Sequence, residues 1–94
     1  MEAQDRFIEN LRASYVFPTE YTFKIIGEST PALQEAVLAV VQVEHPELEV
    51  QVTTRLSSGG RHQSLTLILT MPSPEAVVVL YQRFHAVPGV RMLL

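Results

Sequence analysis

The side chains able to do chemistry in this chain are few and scattered. It has three histidines, His45, His62 and His85, and no cysteine. No two of the histidines have the i, i+4 or short-loop spacing that lets paired imidazoles grip one metal ion, so no metal site and no cofactor is expected. Ser57, Ser58 and Ser64 lie near His62 in sequence. A serine nucleophile needs its histidine oriented by an acidic group, and none stands ready here. The Gly-x-Ser-x-Gly elbow is missing as well. Without cysteine there are no disulfides, zinc–thiolate sites or thiol nucleophiles. The chemistry left over is recognition, not catalysis, and no enzyme is expected.

Recognition could occur at three places. The turn Gly27-Glu28-Ser29-Thr30-Pro31 leads into a helix N-terminus, where backbone N–H groups can receive a small carboxylate. The loop Ser58-Gly59-Gly60-Arg61-His62 could hold an anion on its amides and Arg61. Lys24, Arg55 and Arg91 could together form a cationic face for an anion or an acidic partner. Each has a plainer explanation. Gly27 permits a turn and Thr30 caps a helix; a glycine-bearing loop is an ordinary hairpin tip; charges keep an open sheet face solvated.

The elements that would position these residues follow from periodicity. In Tyr21–Gly27 the apolar Tyr21, Phe23 and Ile25 alternate with Thr22 and Lys24, the pattern of a half-buried strand. Thr30-Pro31 opens a helix, a hydroxyl cap followed by proline at the first helical position, with Leu33, Val37, Val40 and Val41 along one stripe. His45-Pro46 stops it. Leu48–Leu56 and His62–Met71 alternate as the second and third strands. Ser73-Pro74 repeats the helix start, with Val77, Leu80, Tyr81 and Phe84 as its stripe, and Pro88-Gly89 turns into a last strand, Val90–Leu94. Residues 2–13 form a short N-terminal helix.

The order βαββαβ is a split βαβ repeat, an α+β ferredoxin-like sandwich. It predicts a four-stranded antiparallel sheet of order 4-1-3-2 with two helices on one face. The domain is expected over residues 15–94, with 1–14 as a helical extension. The apolar strand positions must face the helices. The other parity then carries Thr22, Lys24, Gln51, Thr53, Arg55, Ser64, Thr66, Thr70 and Arg91. Lys24 and Arg91 are expected side by side, a repulsion of a few tenths to about 1 kcal/mol. Glu49 is the one acid expected on that face, roughly 20 Å along the strand from Arg55 at ~3.3 Å per residue. RNA-recognition modules of this topology stack bases on open-face aromatics. The outward set has none, and the net charge is −3, so nucleic acid is not an expected partner.

A chain of 94 residues with 47% hydrophobic content is one globular domain. The opening MEAQDRFIENLR is charged and unlike a secretion signal, and no apolar stretch is long enough to span a bilayer. With no disulfides, the expected compartment is the cytoplasm, away from membranes.

Three stretches carry a resemblance: Phe17-Pro18-Thr19 with Tyr21 to Gly27, Ser57 to Leu65 with its Ser-Ser-x-Gly-x-x-x-Ser core, and the ending Val90-Arg91-Met92-Leu93-Leu94. In these, over about residues 15–94, the chain resembles the YbeD-like family of small uncharacterised bacterial proteins. The resemblance implies a ferredoxin-like fold akin to the ACT domain, a regulatory module for amino acids and similar effectors, and implies no enzymatic activity. Thr30-Pro31-Ala32-Leu33 stands where ACT domains tend to have Pro-Gly-x-Leu, with alanine in place of the glycine. Two functions are therefore expected to compete. One is a regulatory module binding a protein partner or a second copy of itself through Lys24, Arg55 and Arg91. The other is a small-carboxylate sensor built on Gly27 to Leu33.

Overall fold

The computed structural model describes residues 2–94. Its elements are α1 (Glu2–Ser14), β1 (Thr19–Glu28), α2 (Pro31–Glu44), β2 (Gln51–Leu56), β3 (His62–Met71), α3 (Pro74–His85) and β4 (Val90–Leu93). The sheet order is β2-β3-β1-β4, the expected order read from its other edge, and every pairing is antiparallel.

Both main helices begin as their sequences dictate. The Thr30 Oγ1 accepts the N–H of Leu33 at 3.3 Å, and the Ser73 Oγ accepts that of Ala76 at 3.2 Å. Each cap satisfies a donor that a helix start leaves orphaned, and each is followed by a proline that has no N–H to satisfy. Arg83 and His85 sit in the last turn of α3, where cations complement the helix dipole. Leu33, Val37 and Val41 of α2 meet Val77, Leu80 and Phe84 of α3 over the inward side chains of the sheet, Phe23, Ile25, Leu65, Leu67 and Met71, all buried. Each such side chain contributes about 1.5–3 kcal/mol through its removal from water.

Two strand starts and one register differ from the sequence pattern, each for a local reason. β1 runs from Thr19 to Glu28 because ten consecutive residues of β3 stand opposite it, from Thr19↔Met71 to Glu28↔His62. β2 begins only at Gln51: the chain leaves α2 through a turn in which the Leu48 N–H donates to the His45 carbonyl, although Leu48 and Val50 still pack on the core. β4 carries a bulge. Ile26 faces Met92 while the adjacent Gly27 faces Val90, so Arg91 is the extra residue.

The N-terminal helix docks on the helical side. Leu11 is buried in the core, Phe7 lies 5.8 Å from the Tyr81 ring, and Arg12 is paired with Glu75 of α3. Beneath it, the Tyr81 hydroxyl lies 3.0 Å from that of Tyr21 and donates to the Leu94 carbonyl at 3.2 Å. Burial, and then the hydrogen bond with Tyr21, raise the Tyr81 phenol far above its usual value. A phenol whose folded pKa exceeds its unfolded value of about 10 stabilises the fold fully below that pH and loses that contribution as pH rises through the folded value. The expected result is a urea midpoint that falls between pH 9 and 11 more steeply for wild type than for Tyr81→Phe. Parallel curves would show that this phenol is not linked to folding.

Candidate functional site

On the face of the sheet away from α2 and α3, the register lays the side chains out in rows. Thr53, Thr66 and Lys24 form one row and Arg55, Ser64 and Ile26 the next. β4 extends both: Met92 stands opposite Ile26, and Leu94 exchanges backbone hydrogen bonds with Lys24 at 3.2 and 2.8 Å. Lys24, Thr53, Arg55, Ser64 and Thr66 border a hollow of about 280 Å³ whose rim also includes Thr54. The Thr54 hydroxyl is turned toward α2, where it donates to Gln34. A second hollow of about 230 Å³ continues past Ile26, Leu56 and His62, sharing Arg55 and Ser64 with the first.

Lys24 and Arg55 thus stand on either side of a floor of hydroxyls, and neither makes an ion pair among the described residues. Two cations with hydroxyl donors between them are complementary to an anion, since guanidinium, ammonium and hydroxyl groups can all donate to one set of oxygens.

Arg91 does not belong to this cluster. The bulge takes it out of the alternation, and its Nη2 lies 3.5 Å from Glu28 Oε1. Lys24 faces Leu94, so the expected Lys24–Arg91 repulsion is absent. Glu49 is not the one acid of this parity. The longer β1 adds Glu20 and Glu28 to the same parity, and Glu28 is the group that engages Arg91.

The turn from Gly27 to Pro31 is tightly built. A Cβ on Gly27 would lie 2.5 Å from the Gly89 carbonyl oxygen and 2.7 Å from Leu33 Cδ2, so glycine is there to admit the neighbouring backbone. The N–H groups of Glu28, Ser29 and Thr30 donate to the carbonyls of Gly89, Arg61 and Glu28 at 3.0, 3.3 and 2.9 Å. Buried Gln63 closes the turn from below, its Nε2 donating to the Glu28 and Thr30 carbonyls at 2.9 and 2.8 Å. The donors read from sequence as a carboxylate cradle already serve the fold. The sequence signal for Gln63 is its parity with Leu65, Leu67 and Leu69: an amide at an inward position needs buried partners.

The hairpin loop is likewise internally bonded. The His62 N–H donates to the Ser57 hydroxyl and the Gly60 N–H to the Ser57 carbonyl. Gly60 has φ +70°, the left-handed region that glycine tolerates. Ser58, Gly59 and Arg61 are exposed around it. A roomier hollow of about 530 Å³ lies between α2 and α3, lined by Ala36, Ala39, Val40 and Val43 and edged by the Glu44–Arg83 ion pair. Among the described residues no three His, Asp or Glu side chains gather as a metal site, and no helix is long and apolar enough to cross a membrane.

Comparison with known proteins gives one family and one fold. Residues 13–94 match the family described as "Protein of unknown function (DUF493)". A UPF0250 protein of Shewanella baltica strain OS155 is 36% identical over 78 residues, 83% of this chain and 88% of the relative. One from Shewanella amazonensis is 33% identical over the same shares. Among solved structures, protein HP0495 from H. pylori superposes with a TM-score of 0.65 at 12% identity, over 85% of each chain. The ACT domain of the GTP pyrophosphokinase of Chlorobium tepidum superposes at 0.59 and 14% identity, over 80% of this chain and 94% of that one. At such identities the likeness is one of fold.

Proposed function

The chain belongs to the DUF493 family of proteins of unknown function, as its resemblance to YbeD-like proteins implied, and on that footing we propose that it is a non-catalytic interaction module that receives an acidic partner on its open sheet face. The observation that carries this reading is the pair of free cations, Lys24 and Arg55, set around the hydroxyls of Thr53, Ser64 and Thr66. Structural needs explain the turn and the loop, since their hydrogen bonds build the fold. They do not explain two cations left without carboxylates in a chain whose net charge is negative. Such charges steer a partner and fix its orientation more than they add raw affinity.

The test is affinity capture from a native lysate by wild type and by the double variant Lys24→Glu with Arg55→Glu. Both positions are exposed, so the variant should fold with an unchanged melting temperature. Retention of the specific protein should drop at least about tenfold, because each reversal replaces an attraction by a repulsion. Undiminished retention would sink the reading. Arg91→Glu, which removes only the partner of Glu28, should leave retention near the wild-type level.

A second reading, a sensor of small carboxylates at Gly27 to Leu33, draws support from the fold shared with an ACT domain. Its mark is a rise in melting temperature with millimolar amino acids that survives the Lys24/Arg55 reversal.

A further inference from the structure

The cations on the open face are only half of its pattern. Beside them runs an apolar strip, Ile26 with Met92 opposite it and Leu94 opposite Lys24. Met92 is 52% exposed and Leu94 58%. Single exposed apolar residues are ordinary, but Met92 and Leu94 adjoin each other and the half-buried Ile26, and together they make a patch. The helices of this chain leave the patch uncovered, since α1 lies against α3 on the opposite side of the sheet.

Resting on the interaction reading above, we infer that the partner element is an acidic amphipathic α-helix, lying along β1 and β4 with its apolar stripe on Ile26, Met92 and Leu94 and its glutamate or aspartate flank toward Lys24 and Arg55. Three considerations select that occupant. The face of a sheet offers no backbone hydrogen bonds, since its N–H and C=O groups lie in the sheet plane. An element that docks there must already satisfy its own backbone, which a helix does and an extended strand does not.

The spacing also fits. Lys24 and Leu94 share one row, and Ile26 and Met92 share the next row, with Arg55. Rows on one face are two residues apart, roughly 6.6 Å, and residues four apart on a helix are about 6 Å apart along its axis. An apolar pair at i, i+4 therefore meets Leu94 and Met92 on β4, while acidic side chains on the adjoining flank face Lys24 on β1 and, two strands farther across, the long side chain of Arg55 on β2.

Charge selects against the alternatives. A second copy docked face to face would bring four free cations into one desolvated layer with only the two Glu20 carboxylates of that parity unpaired to meet them among the described residues. Anionic lipid surfaces are held by clusters of roughly four to eight cations, and this face has two that are free.

The test uses the full chain and a synthetic helix of about 18 residues with leucines on one stripe and glutamates on one flank, long enough to hold helical structure. The controls are a scramble of identical composition, polyglutamate, and anionic phosphatidylserine vesicles. Binding should be at least about tenfold tighter for the helix than for the scramble. It should shift the amide resonances of Lys24, Ile26, Arg55 and Met92, and be lost in Met92→Glu with Leu94→Glu, a variant whose melting temperature shows that it is folded. Equal binding of helix, scramble and polyglutamate would overturn the helical partner and leave the acidic-partner reading standing. No binding by any of the three peptides would overturn both. Vesicle binding without peptide binding would replace the helix by a membrane.

Discussion

Gly27→Ala should cost about 3 kcal/mol of stability and lower the melting temperature by roughly 12–24 °C, while Gly59→Ala should leave it unchanged. A methyl group on Gly27 would sit 2.5 Å from the Gly89 carbonyl oxygen, inside van der Waals contact with backbone that a rotamer change cannot move. Leu33 Cδ2, at 2.7 Å, could turn away only by giving up its place in the core. Relief requires β4 to shift from β1. That shift breaks the hydrogen bond from the Glu28 N–H to the Gly89 carbonyl, worth about 1 kcal/mol, and opens the pairing that places Met92 and Leu94. Gly59 makes the comparison clean, since nothing lies within 4 Å of a Cβ added there. Thermal melts of both variants beside wild type decide the matter. If the Gly27 variant melts within a degree or two of wild type, the close approach of β4 is not a constraint on the fold.

The sequence revealed most where one physical rule acts alone. Alternation in Tyr21–Gly27 and His62–Met71 identified the inward side chains because a strand buried on one face must repeat every two residues. Thr30-Pro31 and Ser73-Pro74 located two helix starts, since capping is local. The site was legible in part. Lys24 and Arg55 share a hollow because both keep the outward parity, and Arg91 leaves them because a bulge resets parity at one residue. Nothing in Val90-Arg91-Met92 announces that bulge. It lies where the chain packs Gly89 against Gly27, two glycines far apart in the sequence. The same limit hid the state of the turn at Gly27 to Pro31. Its type was readable, but the acceptors of its N–H groups come from Arg61 and Gly89, which only the folded topology brings near.

Gln63→Glu isolates the buried half of that turn and should be the most damaging change of one atom. The Gln63 amide is 6% exposed and donates to the carbonyls of Glu28 and Thr30. Replacing its NH2 by oxygen puts an ionised carboxylate against two carbonyl oxygens. The loss at pH 7 should be about 3–5 kcal/mol, the range for a buried charge left without a partner. Gln63→Leu, which removes the donors without adding charge, should cost less, about 1–3 kcal/mol, because both carbonyls keep a second donor in the N–H groups of Thr30 and Leu33. The pH dependence separates the two variants. Desolvation and the facing carbonyls raise the introduced carboxyl's folded pKa above its unfolded value of about 4.3. Its protonated form is then favoured in the fold, so stability relative to wild type is greatest below that unfolded value and is lost as pH rises through the folded one. Urea midpoints should therefore show the Gln63→Glu deficit shrinking between pH 7 and pH 4.5 as the acid recovers one donor, with the Gln63→Leu deficit constant. A deficit that stays constant with pH in both variants would mean that the amide fills space rather than tying β3 to the turn between β1 and α2.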